Sequence, residues 1–315
     1  MMSERPDLTI TIVSWNTREL LRSCLQSLRA SGARASFEIH VVDNGSRDGS
    51  AEMVRAEFPD VLLIANAENH GFAAANNQSW AQARGRYWLL LNSDTEVKPG
   101  ALDALVALMD AQPRAGLATA RLVNPDGRPQ HCAQPAPSIW RTLLEASRLH
   151  KLLPNSLRGR VMLGLYWNYR ETVRIGWTWG TALIARRAAV EEVGPLSEAF
   201  FMYGEDLEWC LRMRRRGWEV WFCHTAEVLH YGGQSSAQQW PDAQKQQIIL
   251  DNCYKAIGMH RRPLSVRLLK MATWCALRAE QISKRLKGRK PLSPSENAFV
   301  VPASAGRRRL PKSSG

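Results

Sequence analysis

Short apolar runs alternate with amphipathic stretches along the first 125 residues of the chain. The apolar runs are unbroken and rich in β-branched residues, which is typical of strands buried on both faces. The predicted strands are Leu8–Trp15, Glu38–Gly45, Val61–Ala65 and Tyr87–Asn92. A stretch with an apolar residue at every third or fourth position follows each strand, and this spacing predicts a helix.

The four predicted helices cover residues 16–30, 47–58, 71–85 and 99–113. At the start of the first helix, Asn16 and Glu19 have the spacing of an N-cap and capping-box pair. The alternation of strand and helix predicts an α/β fold with a mostly parallel central sheet, right-handed crossovers and flanking helices. Many nucleotide-binding domains have this architecture.

The pattern changes after residue 125. Residues 126–175 combine a Pro- and Gly-containing stretch with helix-like segments, and we interpret them as a variable insertion. Strand and helix patterns then resume, ending with a predicted helix over 243–259. We predict one domain over 1–260 and a basic tail over 261–315. The tail begins with an amphipathic helix over 266–288 and is predicted to end in a disordered segment.

The composition is typical of a folded domain, with 45% hydrophobic and 23% charged residues. The six cysteines form no CxxC pair, which argues against a zinc site and a disulfide framework and favours a reducing cytoplasm. The N-terminus lacks a basic segment followed by an apolar one, so no signal peptide is predicted. No apolar run approaches the length needed to span a bilayer.

Positive charge is concentrated at the C-terminal end of the chain. Of the net charge of +13, residues 261–315 contribute +12, from 14 Lys and Arg against two Glu. A basic tail on a nearly neutral domain favours an anionic membrane surface or a nucleic acid as partner. Few aromatic residues are interleaved with the charges, which argues against nucleic acid. We expect peripheral contact with the inner face of the cytoplasmic membrane.

Polar residues follow three of the predicted strands at the point where each strand ends. They are Ser14, Trp15 and Asn16, then Asp43 and Asn44, then Asn92, Ser93 and Asp94. Because parallel strands present their carboxyl ends at one edge of a sheet, we expect the three groups to converge there. Asp43 can accept a hydrogen bond from a base or ribose, and Asp94 can hold a divalent cation. Ordinary turn chemistry is the alternative for each.

Further candidates lie after the insertion. Glu205 and Asp206 occupy the first turn of a predicted helix, where Asp206 can act as a base and where acids also complement the helix dipole. His230 is a candidate ligand of metal or phosphate, or a structural histidine. Three aromatic residues can stack on a sugar or pack in the core: Trp177, Trp179 and Tyr203. The chain has no G-x-G-x-x-G or Walker motif, which excludes the nucleotide sites built on them.

Six blocks of sequence resemble glycosyltransferase family 2, most closely its bacterial rhamnosyltransferase-type members. The blocks are IVSWNTRELLRSCLQSL, EIHVVDNGSRDGS, NHGFAAANN, YWLLLNSDTEVKPGAL, WGTALIARRAAVEEVG, and FFMYGEDLEWCLRMRRRGW with VLHYGGQSS. The resemblance implies a GT-A fold and an inverting glycosyltransferase of cell-surface polysaccharide synthesis. It also implies a nucleotide-diphosphate-sugar donor, with dTDP-rhamnose as the guess, a divalent metal (Mg or Mn), and a glycan or lipid-linked glycan acceptor.

The resemblance also implies roles for individual residues. Asp206 is the general base, with Glu205 beside it, and the metal residues are Asp94 and His230. The implied nucleotide-sugar-binding residues are Ser14, Trp15, Asn16, Asp43, Asn44, Gly71, Asn76, Asn77, Asn92, Trp179 and Gly180. In two places this chain departs from the family pattern, with Asn92 for the first Asp of Asp-x-Asp and Glu208 for a usual Asp. A non-catalytic nucleotide-sugar-binding protein of the same fold is the alternative.

Overall fold

The structure is a computed structural model that describes residues 5–147, 149–164, 167–232 and 241–286. The strands are β1 (Leu8–Ser14), β2 (Phe37–Asp43), β3 (Leu62–Ala65), β4 (Tyr87–Asn92), β5 (Thr95–Val97), β6 (Ala115–Val123), β7 (Val173–Ile175), β8 (Ala182–Arg186) and β9 (Glu219–His230). The helices are α1 (Arg18–Arg29), α2 (Ser50–Glu57), α3 (Phe72–Trp80), α4 (Ala101–Ala111), α5 (Ile139–Ala146), α6 (Asn155–Met162), α7 (Arg187–Val193), α8 (Glu205–Arg215), α9 (Asp242–His260) and α10 (Pro263–Leu286), with a 3-10 turn at Leu149–Leu152. Within the described residues the strands form one sheet in the order β3-β2-β1-β4-β8-β6-β9-β5, and β7 pairs with β9.

The first four strands by sheet position, β3, β2, β1 and β4, are all parallel. Their buried side chains, such as Ile10, Ile12 and Leu89, belong to one hydrophobic core between the flanking helices. The prediction of an α/β fold with a mostly parallel central sheet is therefore confirmed. In the register of this sheet Ser14 lies beside Asp43, so the polar strand ends meet at one edge.

The rest of the sheet combines antiparallel pairings with the parallel pair of β6 and β9. Strand β8 lies between β4 and β6 and is antiparallel to both, so residues 176–181, just before it, reach the edge where β4 ends. The Asn92 N–H donates to the Thr181 carbonyl (2.9 Å) at this point. Strand β5 is antiparallel to β9 and places Thr95 opposite His230. These two pairings bring the second half of the chain to the edge formed by the first.

The predicted capping of α1 by Asn16 is wrong. The helix begins at Arg18, Thr17 is its N-cap, and no side-chain cap hydrogen bond forms. Asn16 instead has a φ of 52°. Its Oδ1 accepts a hydrogen bond from the Arg47 N–H (2.8 Å), and its own N–H donates to Ser46 Oγ (2.9 Å). These bonds tie Asn16 to the loop after β2 rather than to its own helix.

Helices from the insertion and the tail pack together. Helix α9 packs on α8 and α10 packs on α5. The Arg261 guanidinium donates to the Pro137 carbonyl (2.6 Å), so α10 and α5 begin side by side. None of the described helices combines the length and apolar character that a bilayer span requires. The predicted disordered end, residues 303–315, lies outside the described residues.

Candidate active site

Asp94 and His230 form a close pair at the sheet edge. Asp94 follows the end of β4, and β9 ends at His230. The two side chains are buried, and His230 Nε2 lies 3.3 Å from Asp94 Oδ1. The β5–β9 pairing explains this proximity, because it sets His230 opposite Thr95, the residue after Asp94.

The buried amide of Gln130 orients the His230 ring. Gln130 Nε2 donates to Asn124 Oδ1 (3.0 Å) and to the His230 carbonyl (2.8 Å), which fixes the amide. Gln130 Oε1 therefore faces His230 Nδ1 at 2.7 Å and accepts its proton. In the neutral ring this leaves the lone pair on Nε2, toward Asp94, and Nε2 forms no hydrogen bond to any described residue.

The pair fits a divalent cation. Two neighbouring ligands of an octahedral ion with bonds of about 2.1 Å lie about 3.0 Å apart, close to the 3.3 Å between Asp94 Oδ1 and His230 Nε2. No group of three or more His, Cys, Asp or Glu side chains is placed to hold a metal ion in the described part of the chain. Substrate oxygens and water would have to supply most of the remaining ligands of a bound cation, as they commonly do in Mg²⁺ sites on phosphates.

Ser14 joins two strand ends through a chain of hydroxyl groups. Its Oγ lies 2.9 Å from Thr17 Oγ1, which lies 2.8 Å from Ser93 Oγ. All three hydroxyls are buried. These linked hydroxyl groups fix the end of β1 against the segment that carries Asp94. Ser14 therefore helps to shape the edge of the sheet.

Asp43, at the end of β2, has an unused acceptor. Its Oδ2 accepts the Ser46 N–H (3.1 Å), but Oδ1 is buried and has no hydrogen-bond partner among the described residues. Burial raises the pKa of this carboxyl, with the Ser46 hydrogen bonds opposing. A buried acceptor without a partner is costly, and an N–H or O–H of a bound molecule would remove that cost.

The side chain of Asn44 fastens the loop before α3. Its Nδ2 donates to Asn69 Oδ1 (2.8 Å) and to the Gly71 carbonyl (3.2 Å). Its Oδ1 accepts hydrogen bonds from the His70 N–H and from Asn66 Nδ2, each at 3.1 Å. With these four bonds, Asn44 sets the position of the loop that leads to Gly71.

The start of α3 is fitted closely to the loop before α8. Gly71 has a φ of 84°, and a Cβ there would lie 2.3 Å from the Phe201 carbonyl oxygen. The same oxygen accepts the Phe72 N–H at 2.8 Å. Asn76 Nδ2 donates to the Phe72 carbonyl (2.8 Å), and Asn77 Nδ2 donates to a backbone carbonyl of the facing loop (2.9 Å). Both asparagines thus secure α3 and its contacts.

Glu205 and Asp206 begin α8, after Gly204 with a φ of 95°. Asp206 Oδ1 accepts the Leu207 N–H (2.7 Å), and Oδ2 accepts the Gly180 N–H (3.2 Å). Glu205 is buried, and its Oε2 forms no hydrogen bond with the described residues. The neighbouring carboxyl groups therefore differ in environment, because Asp206 has several backbone donors that stabilise its anion and Glu205 has only its own N–H.

The two environments shift the pKa values of Asp206 and Glu205 to different extents. Burial raises the pKa of Asp206 to about 6, against the opposing effect of its backbone N–H donors. Burial, and then the charge of Asp206, raise the pKa of Glu205 well above its usual value. Asp206 is therefore the member of the pair whose anion the backbone stabilises. A carboxylate with a pKa near 6 is suited to accept a proton from a hydroxyl group.

Two hydrogen bonds of neighbouring residues link the Asp206 side chain to the segment that carries Asp94. Gly180 donates to Asp206, and the next residue, Thr181, accepts from Asn92, two residues before Asp94. A Cβ on Gly180 would lie 3.1 Å from the Phe72 ring, so the glycine permits this approach. The Asp94 and Asp206 segments are therefore held at one edge.

The predicted aromatic residues differ in exposure. Trp177 is buried, in agreement with the core-packing alternative, while Trp179, Tyr203 and Trp15 are half-buried. Trp179 and Tyr203 pack against the core with part of their surface accessible. These three keep the exposure that stacking on a ligand requires.

Residues 9–162 match the family model of glycosyl transferase family 2. The chain carries a glycosyl transferase family 2 domain. A relative from Mycobacterium tuberculosis, an N-acetylglucosaminyl-diphospho-decaprenol L-rhamnosyltransferase, is 28% identical over 73% of this glycosyltransferase and 78% of the relative. A low-salt glycan biosynthesis hexosyltransferase from Haloferax volcanii is 26% identical over 71% of this chain and 67% of its own.

Solved structures with the same fold include a mannosyltransferase from Pyrobaculum calidifontis in complex with GDP-Man and Mn²⁺. It has a TM-score of 0.57 and 17% identity, covering 92% of this chain and 78% of that one. A structure of GalNAc-T7 with UDP, GalNAc and Mn²⁺ has a TM-score of 0.54 and 15% identity, covering 92% of this chain and 59% of that one. The predicted GT-A fold and glycosyltransferase activity are confirmed.

Two site features of the glycosyltransferase were not predicted. Gln130 lies in a polar stretch where nothing local marks its contact with His230. Glu208 is buried and accepts hydrogen bonds from Arg212 (2.9 Å) and His260 (2.9 Å). Its longer side chain fastens α9 to α8, which gives a structural reason for Glu where the family pattern has Asp. The available sequence signal was an acidic residue two positions after Asp206 in the same helix.

Proposed function

We propose that the protein is an inverting, metal-dependent glycosyltransferase that moves a sugar from a nucleotide-diphosphate donor to a glycan or lipid-linked glycan. One observation carries the proposal. A base, Asp206, and a cation-binding pair, Asp94 with His230, are held at one sheet edge by hydrogen bonds through residues 180–181. The transfer of a sugar from a diphosphate requires both functions, a base for the acceptor and stabilisation of the leaving group.

In the proposed reaction Asp206 accepts the proton of an acceptor hydroxyl. The oxygen attacks the anomeric carbon while the bond from that carbon to the diphosphate oxygen breaks. The products are the new glycoside and a nucleoside diphosphate, and the proton remains on Asp206 until it passes to solvent. A single displacement inverts the anomeric configuration. A divalent cation at Asp94 and His230 would neutralise charge on the diphosphate.

The nucleotide half of the donor is assigned to the ends of β1 and β2. The buried Oδ1 of Asp43 fits a donor group of the base or ribose, and Trp15 is exposed enough to stack. Asn16 and Asn44 fix the loops on either side. The sugar would then lie near Gly180, between the two carboxylate segments.

The donor and acceptor are proposed from the relatives. The Mycobacterium tuberculosis relative is a rhamnosyltransferase named for a diphospho-decaprenol carrier. We therefore assign dTDP-rhamnose as the donor and a polyprenyl-diphosphate-linked sugar as the acceptor, in cell-surface polysaccharide synthesis. Residues 1–260 would form the catalytic domain, with its insertion over 126–175. The basic tail over 261–315 would hold this domain at the inner face of the cytoplasmic membrane.

A transfer assay tests the proposal. The purified protein is incubated with Mn²⁺ or Mg²⁺, a nucleotide sugar and N-acetylglucosaminyl-diphospho-polyprenol, and the product is followed by mass and by the anomeric coupling in its NMR spectrum. We expect a product of inverted configuration and release of one nucleoside diphosphate. A product of retained configuration would contradict the mechanism. Nucleotide-sugar binding without transfer to any acceptor would favour the non-catalytic alternative.

A further inference from the structure

Exposed apolar side chains are concentrated in two segments of the chain. Of the thirteen large apolar side chains exposed among the described residues, nine lie within 140–157 and 264–274. They are Trp140, Leu143, Leu149, Leu152, Leu157, Leu264, Leu268, Met271 and Trp274. The most exposed, Leu152, has 80% of its surface accessible. Scattered exposed leucines are ordinary, but such a concentration marks an interaction surface.

The two segments form one surface. The first covers α5, the 3-10 turn and the start of α6, and the second covers the start of α10, which packs on α5. Within α10 the inward-facing Leu269 and Ala272 are buried, while Leu268 and Met271 point outward. We call this surface, made of α5, α6 and α10, the helical face.

A basic cleft adjoins the helical face. It is a cavity of about 450 Å³ between α5, α6 and the ends of α8, β7 and β9. Five arginines and one acidic residue line it: Arg114, Arg141, Arg160, Arg174, Arg214 and Glu219. Arg174 pairs with Glu219 (3.1 Å), and the other pairing, of Arg160 with Glu171, is loose (3.8 Å). The cleft therefore has an excess of positive charge.

Arg141 shows that this charge is poorly compensated. Its Nη1 donates to the Ala136 carbonyl, but its Nε is buried and has no hydrogen-bond partner among the described residues. Burial, and then the charge of Arg214, lower the pKa of its guanidinium. A bound anion would relieve both effects. The Arg141 guanidinium also lies 5.1 Å from the Trp140 ring centroid, so the cleft and the apolar surface meet here.

We propose that the helical face docks on an anionic membrane, with its apolar side chains in the lipid interface and the arginine cleft on phospholipid phosphates. Apolar residues beside Lys and Arg on one face are what interfacial helices need, because burial and attraction to anionic lipid add. Across Ile139–Met162 the sequence has five Lys and Arg against one Glu, and Pro263–Leu286 has the same balance. The charge therefore selects anionic lipid as the partner.

The segment that leads into α5 is hydrogen-bonded to the segment that positions Asp206, the proposed base for the acceptor. Gln134, four residues before Ser138 at the start of α5, exchanges backbone hydrogen bonds with Trp177 (3.0 and 3.1 Å). Trp177 precedes Gly180, the donor to Asp206. The benefit of this arrangement rests on the proposed lipid-linked acceptor, whereas the docking itself does not. A failed docking test would therefore leave the proposed glycosyl transfer intact. A failed transfer assay would likewise leave the docking proposal intact.

Co-flotation of the full-length chain with vesicles tests the proposal. The vesicles are phosphatidylcholine alone, or an equimolar mixture with phosphatidylglycerol. The apolar variant is Trp140→Ser with Trp274→Ser, and the charge variant is Arg141→Gln with Arg160→Gln. The control for charge is Arg34→Gln with Arg55→Gln, two exposed arginines far from the helical face in sequence. The control for apolar surface is Leu62→Ser on β3.

We expect binding to the mixed vesicles only. The charge variant should lower the partition coefficient about 25-fold, since each arginine near such a surface contributes about fivefold. The apolar variant should lower it about tenfold or more, while both controls bind as wild type. Wild-type binding by both variants would show that the helical face contributes nothing, and equal losses in variants and controls would show that its position does not matter; either result would overturn the proposal. Equal binding to neutral and mixed vesicles, or no binding to either kind, would also overturn the proposal.

Discussion

At the scale of single residues, the proposed function depends on the different environments of Glu205 and Asp206. The Oε2 atom of Glu205 is buried without a described partner, whereas two backbone N–H groups stabilise the Asp206 anion. The folded state therefore maintains a charged base in a partly buried place. An ionised carboxylate in such a place lowers the free energy of unfolding, and its raised pKa makes it a better proton acceptor.

Replacing the base should separate these two effects. Asp206→Asn is expected to lower kcat about 10²–10⁴-fold, because the acceptor loses its general base. Thermal stability at neutral pH should not fall, since the folded state raises the pKa of Asp206 from 3.8 to about 6. That shift lowers the free energy of unfolding as pH rises through this interval, and the amide removes the penalty. Asp251→Asn, on α9, is the matched control; unchanged turnover in Asp206→Asn would contradict the assignment.

The same carboxyl predicts a pH profile. The value of kcat/KM should fall about tenfold per unit below the pKa of about 6, because only the ionised Asp206 accepts a proton. Initial rates between pH 5 and pH 8 at saturating metal measure this limb. The residual activity of Asp206→Asn should lack it. A profile that keeps the same acidic limb in the variant would assign the limb to another group.

Gln130 gives a test of the proposed metal site that does not depend on turnover. Gln130→Leu removes the acceptor that fixes the Nδ1–H tautomer of His230. Loss of such an outer ligand typically weakens metal binding about 10–100-fold. Mn²⁺ affinity measured by electron paramagnetic resonance should fall by this amount, whereas Gln134→Leu, also buried, should leave it unchanged. Equal affinities in both variants would remove Gln130 from the site.

At the scale of elements, the sheet edge is built from strand ends that local sequence predicts well. Strands β1, β2 and β4 are apolar runs followed by polar residues, so their type and their functional ends could be predicted from periodicity. The positions of β8 and β5 could not. Their antiparallel pairings depend on contacts distant in sequence, and those pairings deliver Gly180 and His230 to the site. The hydrogen bonds of Asn16 could not be predicted from local sequence either, because its partner Arg47 is 31 residues away.

The close contact between α3 and the loop before α8 predicts how the protein responds to substitution of Gly71. Gly71→Ala should destabilise the protein more than Gly100→Ala, although both glycines precede helices with φ values of 84° and 79°. At Gly100, with a ψ of −7°, an alanine in the left-handed region costs about 1–2 kcal/mol. Gly71 has a ψ of 176°, a conformation that only glycine adopts readily, so its backbone strain adds to the difference. Only at Gly71 does the new Cβ meet backbone, the Phe201 carbonyl at 2.3 Å, while open space surrounds Gly100.

The clash should add about 1–3 kcal/mol to the loss at Gly71. Urea denaturation of the two variants measures the difference. Donor affinity should fall in the same variant, because the loop that carries Gly71 moves. Equal losses at the two glycines would show that the junction is free to adjust.

At the scale of the whole molecule, we assign two surfaces to different partners. The carboxyl edge of the sheet gathers the residues proposed to bind nucleotide and metal, and the helical face gathers apolar side chains and arginines. Charge counts predicted a basic tail, but the contribution of the insertion was not visible, because α5 and α10 are more than 100 residues apart and meet only in the fold. Their shared surface is a tertiary property.

Donor binding with and without metal tests the central claim most directly. The full-length protein is heated with dTDP-, UDP- and GDP-sugars, with or without Mn²⁺, beside Asp94→Asn. At a hundredfold excess over Kd a donor adds about 2.7 kcal/mol of stability, which raises Tm by about 5–10 °C. We predict this rise for one nucleotide, only with Mn²⁺, and its loss in Asp94→Asn. No shift with any donor, or a metal-independent shift that Asp94→Asn retains, would contradict the account.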